Sequence, residues 1–89
     1  MNIEDIKDKK IAVHCKTHEQ SRYLCNHLYE LKMYFTTFKS ALNNSYWYHF
    51  MENSCYSIER KRIFVDDITW AKENNYTIIE YEEFENENH

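Results

Sequence analysis

Lys10-Ile11-Ala12-Val13-His14-Cys15, followed at once by Thr17-His18-Glu19-Gln20, decides how the rest of the chain is arranged. Ile11 to Cys15 is a short β-rich run. Alternation puts Ile11, Val13 and Cys15 on one face and Ala12 and His14 on the other. Thr17 then offers a helix N-cap, with Gln20 three residues on completing a capping box. Glu19 in the first turn suits the helix dipole. Leu24, Leu28 and Leu31 recur at spacings of four and three, with Cys25 beside them and Arg22, Asn26 and Glu30 opposite. This pattern predicts an amphipathic helix from about His18 to about Lys32.

Upstream, residues 2–9 are polar, with Ile3 and Ile6 as apolar anchors for one helical turn or an ordered tail. Downstream, Tyr34 to Thr37 has the composition of a short strand, and Asn43-Asn44-Ser45 that of a turn. Tyr46-Trp47-Tyr48-His49-Phe50 is the most aromatic run and is expected to be a strand. Cys55 to Glu59 and Arg62 to Val65 read as two strands joined by a tight hairpin at Arg60-Lys61, a tip that lacks the usual Asn or Gly. Asp66 or Asp67 can cap a short helix over Ile68 to Asn74. Asn75 is its expected stop, because Asn tolerates the left-handed conformation. Tyr76 to Tyr81 is the last strand, and Phe84 can tie down part of the acidic tail.

The predicted fold class is therefore α+β: one domain over residues 1–89, with 1–9 and 83–89 peripheral. The order is β-α-β-β-β-α-β, with a mainly antiparallel sheet and helices packed on one face. The first and last strands are the candidates for the sheet centre, with Val13, Ile78 and Ile79 as its best aliphatics.

Composition narrows the function classes. The 89 residues contain no Gly and no Pro, which excludes Gly-rich phosphate loops of the Walker or Rossmann kind. Net charge is −4, with acids gathered at the C-terminal end and one basic cluster at Arg60-Lys61-Arg62. That balance argues against binding a nucleic-acid backbone. The aromatic share, 17%, is high, so rings must fill much of the core, and tyrosine hydroxyls will sit at its edge or at an interface. Asn2 to Ile6 does not look like a signal peptide and no apolar run approaches membrane-spanning length. The expected setting is the cytosol, away from membranes, with Cys15, Cys25 and Cys55 reduced.

Lys10–Cys15, the helix after it, the Trp47 strand, Ser54-Cys55-Tyr56 and Lys72-Glu73-Asn74-Asn75-Tyr76-Thr77-Ile78-Ile79-Glu80 together resemble a group of small phage and prophage proteins of low-GC Gram-positive bacteria. The likeness covers about residues 10–84. Members often carry Gly between the first helix and the Trp strand, whereas Phe38 to Ser45 here has none. The resemblance implies a phage accessory protein of the kind that blunts host defences.

The residues invite three chemistries. His14, Cys15, His18, Cys25, His27 and Cys55 invite a zinc site, but no C-x-x-C pair exists and adjacent His14 and Cys15 point to opposite faces. Buried thiols are the better assignment, and neither metal nor cofactor is expected. Cys25 with a distant His49 is a nucleophile pair on paper only, because Cys25 borders an apolar stripe. Asp66-Asp67 read as caps and Glu82-Glu83 as solvated tail. No catalytic residue and no enzyme activity are expected.

The aromatic run carries the remaining information. Exposed Tyr, Trp and His anchor protein interfaces or stack on nucleobases. The candidate binding residues are His14, Tyr46, Trp47, Tyr48, His49, Arg60, Lys61 and Arg62. The leading expectation is a non-enzymatic inhibitor that binds a host antiviral defence protein, in the manner of an anti-CRISPR. The alternatives are a sponge for a cyclic or other nucleotide immune signal, and a structural or regulatory phage protein. Helices on one face would leave His14, alternate residues of Tyr46–Phe50 and part of the last strand on an open face. That face predicts a homodimer or a partner interface, with either Tyr48 or Trp47 outward.

Overall fold

The structure, a computed structural model, describes residues 3–35 and 46–83. The turn expected at Asn43–Ser45, the residues Thr36 and Thr37, and the Phe84 anchor lie outside these residues. The protein is a small α+β domain built on a five-stranded mixed sheet. In chain order the elements are α1 (Ile3–Ile6), β1 (Ile11–Cys15), α2 (His18–Glu30), β2 (Tyr34–Phe35), two 3-10 turns (Trp47–His49 and Met51–Asn53), β3 (Ser54–Glu59), β4 (Arg62–Asp67), α3 (Ile68–Glu73) and β5 (Thr77–Glu80).

The capping box works as its spacing predicts. Thr17 is extended, and its hydroxyl accepts the Gln20 N–H at 3.1 Å. The Gln20 carboxamide oxygen reaches back to accept the Lys16 N–H at 2.8 Å. At its other end α2 stops in a Schellman motif. Lys32, at φ 67, donates its N–H to the Tyr29 carbonyl, and Met33 donates to the Leu28 carbonyl. Asn75, at φ 68, ends α3 in the same way: it bonds to Lys72 while Tyr76 bonds to Ala71. Both helix stops normally favour glycine, and this chain has none.

β1 lies between β3 and β5. It pairs antiparallel with β3, with Val13 opposite Tyr56, and parallel with β5, with Val13 opposite Ile79. β3 and β4 form the predicted hairpin, from Ser54 opposite Asp67 to Glu59 opposite Arg62. β2 pairs parallel with β4. The sheet order is β2-β4-β3-β1-β5.

Alternation divides the core in two. Val13 and Cys15 of β1, Tyr56 and Ile58 of β3, Ile63 of β4 and Ile79 beyond them face α2, whose Leu24, Cys25 and Leu28 complete the main cluster. Ile6, Met33 and Phe35 close its rim. On the other face, Ala12, Cys55 and Ile78 pack against Ala71 and Ile68 of α3 and against Tyr76.

The sheet is mixed, with antiparallel β1–β3 and β3–β4 ladders and parallel β1–β5 and β2–β4 ladders. Four expectations change. The helices do not share one face: Ala71 of α3 packs with Ala12 and Cys55, the residues that alternate away from α2. β5 is an edge strand, and β3 holds the centre. Tyr46–Phe50 is no strand, since Tyr46 and Met51 adopt left-handed φ of 56 and 51 and coil the segment into two 3-10 turns. Leu31 leaves the buried stripe and is 43% exposed, because α2 ends at Glu30 and the chain reverses at Lys32.

Candidate binding surfaces

The predicted site residues separate into three places. His14 is not on an open face: it is 8% exposed and fully engaged. Its Nε2 lies 2.6 Å from the Glu52 carbonyl oxygen, which can only accept, so that nitrogen carries a proton. Its Nδ1 lies 2.9 and 3.1 Å from the two carboxylate oxygens of Glu80. The expectation of His14 at the centre of an apolar interface is thus replaced by a polar tie between β1, β5 and the turn before β3. β1 and β5 run parallel with His14 opposite Glu80, so alternation places both side chains on one face.

The aromatic run makes a second place. The His18 ring stacks on Trp47, with centroids 5.5 Å apart and an interplanar angle of 21°. Tyr48 packs on the same His18 at 4.8 Å, and its hydroxyl lies 3.3 Å from His18 Nδ1. Tyr48 is nevertheless 67% exposed, whereas Trp47 is half-buried. The outward residue is therefore Tyr48. Tyr46 and His49 turn the other way, toward Phe35, whose ring is 4.7 Å from that of Tyr46. Two acids stand at the first turn of α2, which carries His18: Glu19 follows His18 there, and Glu82 accepts a 2.9 Å bond from the Gln20 amide. That backbone-capped carboxylate is held below the usual range by a hydrogen bond from its own backbone and then by Gln20.

Arg60, Lys61 and Arg62 occupy a third place. They lie at the β3–β4 turn, whereas the Trp47 carbonyl accepts from Ser54 at the far end of the same hairpin. The structure does not bring them to the Tyr46–His49 rings. It brings Arg60 instead to residues that sequence inspection missed. Asp8 donates its N–H to the Ile58 carbonyl at 2.9 Å and accepts the Arg60 N–H on Oδ1 at 2.6 Å. Lys9, Lys10 and Tyr76 thereby line one cleft of about 380 Å³ with Arg60. Two lysines before a strand and three cations at a hairpin tip were visible in the sequence. Only the β1–β3 register makes them neighbours.

All three thiols are free and buried. Desolvation pushes Cys15 and Cys25 well up, and Cys55 up to about 12. Burial likewise raises the Tyr29 hydroxyl and the Asp66 carboxyl. Such thiols stay protonated at neutral pH, the opposite of what a cysteine nucleophile needs. Among the described residues no group of three or more His, Cys, Asp or Glu is placed to hold a metal ion. Nor is any helix among them long and apolar enough to cross a membrane. Comparison with protein-family models, with curated proteins and with solved structures finds no match to this chain.

Proposed function

We propose that this chain is a non-enzymatic binding protein that docks on a protein partner through the Tyr48–His18–Trp47 cluster. The observation that supports this is a large ring, two-thirds exposed, yet held in place by two others. Pre-ordered aromatics of this kind make interface anchors, because little side-chain freedom is left to lose on binding. The carboxylates at the first turn of α2, Glu19 and Glu82, favour a partner whose rim is basic. Proteins that handle nucleic acid carry such rims. The resemblance of the sequence to phage accessory proteins makes a host antiviral defence protein in the cytoplasm the partner class to test first.

The test is a plaque assay. The chain is expressed in Gram-positive hosts that each carry one defence system, and each host is challenged with a phage which that system restricts. Wild type should restore plaques against at least one system. Tyr48→Glu should lose that restoration while keeping the thermal midpoint of wild type. Restoration by Tyr48→Glu equal to wild type, or no restoration across the panel, would refute the proposal.

Self-association is the second reading, favoured by Phe64 and Trp70, two exposed rings on the α3 side of the sheet. Sedimentation at high micromolar concentration should then show a dimer that Trp70→Glu dissociates.

A further inference from the structure

We infer that the cleft beneath the β3–β4 turn binds a small phosphorylated molecule of mononucleotide size. This inference is independent of the docking role assigned to Tyr48. Its volume, about 380 Å³, falls within the roughly 300–1,000 Å³ of small-molecule sites.

The charge at this corner opposes that of the whole molecule. Residues 8–10 and 59–62 carry Lys9, Lys10, Arg60, Lys61 and Arg62 against two carboxylates, Asp8 and Glu59, in a chain of net charge −4. One Asp8 oxygen is already committed to the Arg60 N–H. An anion therefore finds here a local cationic excess that the molecule's average charge conceals.

The cations are also positioned. Lys10 Nζ lies 2.9 Å from the Asn74 carbonyl and 5.2 Å from the centroid of the Tyr76 ring, which walls the cleft. Arg60 is fixed through its backbone by Asp8. Ser57, buried on the floor, adds a hydroxyl.

The backbone sets where these cations stand. Asp8, Arg60 and Lys61 all have left-handed φ, of 60, 55 and 64. A two-residue hairpin tip with φ positive at both positions normally takes Asn-Gly. A chain without glycine puts other residues there, as it does at Lys32 and Asn75, and at this tip they are cations. The turn places Arg60 on the wall of a cleft that already holds Lys9 and Lys10, with Lys61 next to it at the tip.

A small ligand fits better than a polynucleotide. The other end of the sheet carries Glu52, Asp66, Asp67 and Glu80, which would repel the flanking phosphates of a long chain.

The experiment is an amide NMR titration of the full chain with adenosine 5′-monophosphate, adenosine and inorganic phosphate, at low and at 0.15 M salt. The monophosphate should shift amides of residues 8–11, 57–62 and 76, with a dissociation constant in the millimolar range or below. Inorganic phosphate should shift the same set more weakly, and adenosine should leave it unmoved. Lys9→Gln with Arg60→Gln should weaken binding about tenfold or more, whereas Lys16→Gln, at the other end of β1, should leave it unchanged. If the double variant loses its folded spectrum, Lys9→Gln alone should still weaken binding severalfold. Four results would overturn the inference: no shift at millimolar monophosphate, shifts spread over all lysines, equal binding of adenosine, or tighter binding of a single-stranded oligonucleotide than of the monophosphate.

Discussion

Replacing Lys32 by glycine should stabilise this protein, although it removes a side chain and adds backbone freedom to the unfolded state. Lys32 is the residue after the C-cap of α2, at φ 67, and it is exposed. Its N–H bonds to Tyr29, and the next N–H bonds to Leu28, so the left-handed turn is fixed by two hydrogen bonds that Lys→Gly leaves intact. A non-glycine residue in this conformation costs roughly 1–2 kcal/mol. The extra freedom of glycine in the unfolded chain returns about 0.4–1 kcal/mol of that. The balance is a gain of about 0.5–1 kcal/mol, equivalent to roughly 2–8 °C in the midpoint of a domain this small. Leu31→Gly, one residue earlier at φ −92, is the matched control. There the relief is absent, and about 0.5–1 kcal/mol should be lost. Thermal and urea denaturation followed by circular dichroism measure both. If Lys32→Gly falls together with Leu31→Gly, the left-handed assignment at Lys32 is wrong.

Two further outcomes follow from the core. Leu28 is buried on the face of α2 that meets Val13 and Ile79, so Leu28→Ala should cost about 2–5 kcal/mol. An unchanged denaturation midpoint would show that this packing is wrong. The buried thiols make stability fall in alkali: Cys55, for instance, ionises near 9.0 by default and near 12 when folded. Above about pH 9 the unfolded chain has lost that proton and the folded chain has kept it, so unfolding is favoured as pH rises. Each such thiol contributes up to roughly 1.4 kcal/mol per pH unit between about pH 9 and 12. Cys55→Ala should flatten the slope of stability against pH in that window, and an unaltered slope would mean that the thiol is not buried.

What the sequence made legible was local. The strand at Ile11–Cys15, the capping box at Thr17 and the stop at Asn75 each rest on contacts within a few residues, and each stands where it was expected. The Tyr46–Phe50 segment misled because β-propensity records how a ring fits a pleated surface, not whether the backbone turns. Here left-handed Tyr46 and Met51 decide the path. β2 is two residues long and carries almost no periodic signal. The placement of α3 on the second face did leave a trace. Ile78 and Ile79 are adjacent apolar residues, and Ala12 sits between Ile11 and Val13, which is how a strand covered on both sides reads. His14 was recognised as important but assigned to the surface, because its partner Glu80 is 66 residues away and only the parallel β1–β5 register joins them.

The same register shows why net charge was a poor guide to what this surface can bind. β3 and β4 are six residues each, so the hairpin is roughly 20 Å long at about 3.4 Å per residue. Its turn carries Arg60 and Lys61, and its open end pairs Ser54 with Asp67. β1 repeats the polarity, with Lys10 before its first residue and His14 bonded to Glu80 near its last. The two ends are separated by about twice the screening length at physiological salt, roughly 8 Å, so each presents its own field to solvent. An average of −4 over 89 residues conceals a basic corner around a cleft and, at the other end of the sheet, Asp66, Asp67 and Glu80, with Lys16 paired to Glu80. The two surfaces proposed above therefore lie at opposite ends of the domain and differ in local charge.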